Sequence, residues 1–223
     1  MATHTVENYV KKLYAEERGA GGHPTPTGRL AAAMGVTPGT ATAMAKSLAL
    51  SGLVEYEPRV GVRLSDSGRT LALRVLRRHR LVELFLVQCL HLDWSEVHEE
   101  AEAWEHVISE RVIDRIDELL GFPSTDPHGA PIPSASGDVS SPELVALSHC
   151  VPGEDLLLRR VAGQDSAFLV YLDQNGLRPG ESLRILHIEH AADAMTLLVS
   201  ERPAPLTLGL GAAERILVER ISS

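Results

Sequence analysis

The sequence predicts a mainly α-helical chain that ends in a small β domain and begins with a winged helix-turn-helix. Three observations carry this. Two short helical stretches separated by Gly35 precede two strand-like runs that flank Pro58 and Gly61. Apolar residues then recur at helical spacing as far as residue 120. From about residue 143 that periodicity yields to short apolar runs divided by Gly, Pro and Asn.

In order, residues 3–18 carry a helical stripe of Val6, Tyr9, Val10, Leu13 and Tyr14, broken by the Gly- and Pro-containing run 19–24. Thr27 is suited to cap a second helix reaching Met34, and Gly35 to turn the chain. Thr37 caps a third helix with Pro38 at its first position, where a missing N–H costs nothing. Ser51-Gly52 ends it. The runs 53–56 and 62–64 then pair as a hairpin, the wing.

Ser65 caps a long helix over 66–90, basic over 74–80 and apolar nearly all round over 81–87. Ser95 is expected to cap one acidic helix over about 95–120, stopped by Gly121-Phe122-Pro123. Residues 123–142, rich in Pro, Gly and Ser, read as a loop and linker. The expected organisation is a winged domain over 1–70, a helical domain plus linker over 71–142, and a mostly β domain over 143–223. In the last, 182–188 and 195–199 are clear strands, 167–172 fits strand or helix, and 177–181 resembles the tight turn of a small barrel.

Hydrophobic residues make up 44% and aromatics 4%, so the core is aliphatic. No run of 18 apolar residues is present, and residues 1–14 lack the apolar stretch of a signal peptide, so a cytoplasmic protein with no membrane span is expected. Cys89 and Cys150 lie among apolar residues and read as buried free thiols. The net charge of −9 conceals an asymmetry: residues 1–80 carry +6 and residues 81–223 carry −15. A basic head on an acidic body fits a DNA reader joined to a cation-binding half.

The third helix and the wing are the candidate DNA surface. Thr37, Thr40 and Thr42 are short hydrogen-bonding side chains at the helix start, beside Pro38 and Gly39, with Lys46 one turn on and Arg59 and Arg63 on the hairpin. No Arg, Asn or Gln stands in the first two turns, so recognition leans on phosphate contacts and DNA shape.

The candidate cation site is His98, Glu102, Glu105 and His106, which share one face of a continuous helix. His79 and Glu83 form a second i, i+4 pair on the preceding helix, and Asp126 and His128 lie in a loop beyond. Carboxylates and imidazoles crowded without thiolate suit Mn(II), Fe(II), Co(II) or Zn(II). His4, His23, His91, His149, His187 and His190 read as surface or locally satisfied. Enzymatic patterns fail: His98-Glu99 is followed by Glu102 where a zincin needs His, and Glu102 to His106 is one residue too long for a di-iron Glu-x-x-His. No phosphate loop or nucleophile elbow occurs, so a metal-dependent enzyme or metal-buffering protein is the weaker reading and no catalytic residues are assigned.

These motifs together resemble the metal-dependent repressors typified by the diphtheria toxin repressor and the manganese transport regulator. The likeness is carried by the winged helix, by 64–69, by Arg77-Arg78-His79-Arg80-Leu81-Val82-Glu83, by Val97–Glu102, by Trp104–Ser109 and by Asp126–Pro133. It implies an SH3-like (FeoA-like) C-terminal barrel, and a homodimer that binds palindromic operator DNA. It implies a principal metal site of Asn8, Glu102, Glu105 and His106, and a second of His79, Glu83 and His98, joined by Asp126, His128 and an acidic or amide residue of the barrel, Asp165 or Gln164. The iron-responsive branch has Cys where this chain has Glu102, which favours Mn(II) as cofactor over Fe(II), with other divalent metals binding in vitro. The manganese branch has Asp where this chain has Asn8 and Glu where it has Lys11, so a fused two-metal cluster is not expected. The expected dimer surface is made of apolar residues of the long and acidic helices, such as Leu84, Phe85 and Trp104, with intradomain core as the alternative for each.

Overall fold

The computed structural model describes residues 3–140, 142–163, 165–200 and 202–221, and Gln164 therefore lies outside the described residues. The chain forms two compact units. The first comprises residues 1–79, 104–108 and 133–138; the second comprises 80–103, 109–132 and 139–223.

In the first unit, α1 (His4–Gly19) starts at Thr3, whose hydroxyl accepts from the Val6 N–H, and buries Tyr9, Val10, Leu13 and Tyr14. Helix α2 (Thr27–Met34) begins one residue earlier than a Thr27 cap requires. Pro26 occupies the cap position without a side-chain bond, and Gly35, at φ +63°, closes the helix in the left-handed region. Helix α3 (Pro38–Leu50) is capped as expected, Thr37 Oγ1 accepting from the Thr40 N–H at 3.2 Å. The wing pairs β1 (Val54–Glu57) with β2 (Gly61–Leu64), Val54 opposite Leu64 and Tyr56 opposite Val62. Thr25 adds a backbone bridge to Val62, which brings its carbonyl so close to Gly61 that a Cβ there would collide with it.

Two contacts tie α1 to the wing and to the helix that follows it. Glu17, almost fully buried, accepts from the Leu64 N–H at 2.5 Å and from Arg69 at 2.9 Å. Arg69 belongs to α4 (Asp66–Leu90), whose start is capped by Ser65 accepting from the Gly68 N–H at 3.1 Å.

In the second unit the long acidic helix predicted from sequence is two helices. Helix α5 (Val97–Trp104) ends where the Val107 and Ile108 N–H groups both turn back to the Trp104 carbonyl, and Ser109 caps α6 (Glu110–Leu119). Ser95 does not cap α5; its N–H and hydroxyl both donate to the Asp93 carboxylate. Cys89 is exposed, contrary to expectation, whereas Cys150 is buried. Leu84 is buried within the chain, and Phe85 is only half-buried.

The C-terminal part is a six-stranded antiparallel sheet in the order β3-β8-β4-β5-β6-β7, built from β3 (Val145–Ala146), β4 (Asp155–Val161), β5 (Ser182–Glu189), β6 (Ala194–Val199), β7 (Leu206–Gly209) and β8 (Ile216–Arg220). Bulges at Leu158/Arg160 and Ile185/His187 bend it. The ambiguous segment 167–172 is helix α7 (Ser166–Gln174); Leu169 and Leu172 join Leu156, Leu158, Leu183, Ile185 and Trp94 in the core. A short helix, α8 (Leu210–Ala213), joins β7 to β8. No helix is long and apolar enough to cross a membrane, among the described residues.

Gly68 sits where α4 crosses the strand entry, and a Cβ there would overlap the Leu53 carbonyl oxygen. Gly68→Ala should therefore destabilise the protein by about 2 kcal/mol, read as a lower midpoint in urea unfolding.

Candidate metal centre and nucleic-acid face

Helix α3 buries Ala41, Ala45 and Leu48 and exposes the opposite face. Thr37, Pro38, Gly39, Thr40 and Lys46 are exposed there and Thr42 is half-buried. Arg59, held at φ +69°, and Arg63 are exposed on the wing. The Thr42 hydroxyl donates to the Pro38 carbonyl at 2.8 Å, and the Thr37 and Thr40 hydroxyls pair at 2.9 Å. The helix start therefore presents methyl groups and already engaged hydroxyls, and Lys46, Arg59 and Arg63 are exposed cations of the same unit.

A cluster of polar side chains in the same unit is built by α1, the turn after α5 and the last turn of α4 within that unit. Because α5 stops at Trp104, Glu105 and His106 stand in the turn and not on a helix face, a correction to the shared-face reading. His106 Nδ1 lies 2.6 Å from Glu7 Oε2, and its Nε2 lies 2.7 Å from Asn8 Oδ1 and 3.3 Å from Glu105 Oε1. A carboxylate can only accept, so Nδ1 donates to Glu7 and Nε2 faces two oxygens. Glu105 is fully buried; its Oε1 accepts from Lys11 Nζ at 2.5 Å and its Oε2 lies 2.6 Å from His79 Nδ1.

One imidazole nitrogen with an amide and a carboxylate oxygen converging on it is a donor set that fits a borderline or hard divalent cation. The Glu7 carboxylate behind His106 matches the partner that fixes tautomer and ring orientation in metal-ligating histidines. Asn8, Glu105 and His106 are thus brought together as expected. His79, grouped with the second set in the sequence reading, hydrogen-bonds Glu105. Three participants were missed: Glu7, which sits beside Asn8; Lys11, seen only as a departure from the family; and His4, whose ring stacks on His106 at 4.9 Å. The i, i+4 spacing of Glu7 and Lys11 was the available signal for the first two.

A second cluster forms within the other unit. Glu83 Oε1 lies 3.3 Å from His98 Nδ1 and Glu83 Oε2 3.9 Å from His128 Nδ1. Glu83, Asp126 and His128 each offer a ligand atom within 4.8 Å of one another and all are buried. Asp126 Oδ1 accepts from the His128 and Ala130 N–H groups, and Arg80 approaches its Oδ2 at 3.4 Å. His128 is held by the Trp94 carbonyl at 2.9 Å, and its own carbonyl accepts from the Val161 N–H of β4. The loop thus lies against the β sheet, and Gly129, at φ +82°, passes so near the Arg159 carbonyl that no side chain fits. Glu102, half-buried near the end of α5, lies 3.7 Å from His98. Asp165 is exposed and spends its carboxylate capping α7 through the Phe168 N–H, so it does not join either cluster.

Burial, followed by the neighbouring Glu83 charge, pushes the Asp126 carboxyl above the usual carboxylate range, against the opposing pull of Arg80, His128 and the Ala130 N–H. Two carboxylates enclosed with imidazoles fit a cation here too.

A winged helix-turn-helix joined to carboxylate–imidazole clusters and a β barrel-like domain defines a metal-responsive DNA-binding class. Residues 1–62 match the iron dependent repressor N-terminal DNA binding domain, 65–134 the iron dependent repressor metal binding and dimerisation domain, and 145–220 the FeoA domain. The chain is 38% identical over 131 residues to the iron-dependent repressor IdeR of Mycobacterium tuberculosis, covering 58% of this chain and 55% of that protein. It is 36% identical over 131 residues to the diphtheria toxin repressor of Corynebacterium diphtheriae, covering 58% and 56%. The aligned part spans little more than half the length of these curated relatives. A solved structure titled as a manganese-dependent transcriptional repressor in complex with manganese matches with a TM-score of 0.88 and 36% identity, over 97% of this chain and 100% of that one. The chain belongs to the family of metal-dependent repressors that includes the diphtheria toxin repressor, a family of DNA-binding regulators and not of enzymes.

Because the folded-state value of Asp126 is raised, the stability its proton contributes is full below the unfolded carboxylate value and is lost as pH rises through the folded value. Asp126→Asn keeps the Oδ1 acceptor without the charge. Calorimetry with chelator present should show a higher Tm than the parent at pH 7, the gain shrinking toward pH 4.

Proposed function

We propose that this chain is a Mn(II)-responsive transcriptional repressor that binds palindromic operator DNA as a homodimer and controls genes of metal homeostasis. The observation that carries the reading is the convergence of Asn8 Oδ1 and Glu105 Oε1 on His106 Nε2 within the winged unit. Asn8, Glu105 and His106 are the ligands of the winged unit; Glu83, His98, Asp126 and His128 supply the second set.

A bound divalent cation supplies positive charge where these lone pairs meet. The chain's own residues do the rest. Glu7 holds the His106 ring so that Nε2 faces Asn8 and Glu105. Asn8 stands near the start of α1, and Glu17 near its end grips Leu64 of the wing and Arg69 of α4. Holding Asn8 against the Glu105–His106 turn therefore fixes α1 and, through Glu17, the wing. Repression follows from the difference in cation affinity between this arrangement and others. In a dimer so fixed, two α3 helices would meet successive major grooves about 34 Å apart.

Manganese is favoured because Glu102 offers a hard oxygen where the iron-responsive branch has a thiolate. The identity to iron-dependent repressors supports Fe(II) as the second reading. His106→Ala should abolish Mn(II)-dependent retardation of the DNA upstream of the protein's own gene in a gel-shift assay, with the circular dichroism spectrum unchanged. Glu102→Cys should move the metal ranking in that assay toward Fe(II) under anaerobic conditions; an unchanged ranking removes the selectivity argument.

A further inference from the structure

Glu105 is the most enclosed carboxylate of the winged unit's polar cluster, and a lysine serves as its counter-ion. Lys11 is itself buried, with 10% of its side chain exposed against none for Glu105, and the two lie 2.5 Å apart. The pair links positions 94 residues apart. A buried carboxylate stripped of its counter-charge is costly, so the ammonium stabilises the cluster when no other cation is present. The same Oε1 that accepts from Lys11 lies 3.3 Å from His106 Nε2, on the side where Asn8 Oδ1 also converges. One oxygen therefore faces both the ammonium and the place where a divalent ion would bind.

We propose that Lys11 is a built-in competitor for the divalent cation: its ammonium holds Glu105 in the metal-free protein, and metal affinity is set by how far that ion pair must loosen. A tethered positive charge beside the site repels an incoming ion as well as occupying its ligand. The effect is a site that stays folded without metal and loads only when the free ion is abundant. This rests on Glu105 and His106 being ligands, as proposed above.

The test is isothermal titration of the full chain with Mn(II), alongside thermal melts with and without the ion. Lys11→Met removes the charge at similar volume, and Mn(II) should bind about tenfold tighter than to the parent. Its metal-free Tm should fall, while the Mn(II)-bound Tm changes less. Lys11→Gln keeps a donor for Glu105 without the charge; it should fold where the Met variant does not, and should also bind Mn(II) more tightly. Lys11→Arg should stay within about threefold of the parent, because a charge remains at the same carboxylate. Equal or weaker Mn(II) binding by the uncharged variants would overturn the proposal and leave Lys11 a structural tether. A parent chain that bound no Mn(II) would overturn the site reading and this inference together.

Discussion

The buried Glu105 carboxylate is the constraint on which the winged unit's polar cluster is organised. It is enclosed completely, so its charge has to be met by groups that approach from different parts of the chain. Lys11 arrives from α1 and His79 from α4, and His106 stands next to it in the same turn. Each of these contacts fixes an element: the first helix, the long helix and the turn after α5 are registered against one another through a single side chain. Removing the charge would free all three at once, whereas removing any one partner leaves the others to hold.

The break in the acidic helix is what makes this possible. A continuous helix would place Glu105 and His106 on the face shared with His98 and Glu102, one continuous acidic stripe. Ending α5 at Trp104 instead turns Glu105 and His106 out of that register and toward α1, where Glu7, Asn8 and Lys11 are waiting. The same break leaves Glu102 with His98, and His98 with Glu83. One stretch of sequence thus contributes to two chemically similar clusters, Glu105 and His106 to one and His98 and Glu102 to the other, on either side of the helix end at Trp104.

The two clusters differ in how they are enclosed. In the winged unit a lysine supplies fixed positive charge. In the other unit, Asp126 is forced toward its neutral form by burial and by Glu83, with Arg80 only partly offsetting them. Its loop is fastened by the His128 ring on the Trp94 carbonyl and by the Val161 N–H on the His128 carbonyl, which holds the Asp126 carboxylate near that of Glu83. Rigid placement of like charges is a cost to the metal-free fold that a cation would reverse.

The sequence by itself determined the elements whose signals are local. Thr37 with Pro38 after Gly35, the hairpin around Gly61, Ser65 before the long helix, and the change of periodicity near residue 143 place the winged module and the β domain, because caps, turns and periodicity act within a few residues. The residue types of the clusters were legible too, and the family resemblance grouped most of them. What tertiary structure alone decided is which partner each one meets. Glu7 behind His106, Lys11 on Glu105, His79 on that same carboxylate, and Asp165 spent on a helix cap all depend on contacts or competing bonds that spacing cannot rank. The helix end at Trp104 belongs with them: helical periodicity continues through it, whereas the folded chain turns there and seats Glu105 against Lys11 and His79.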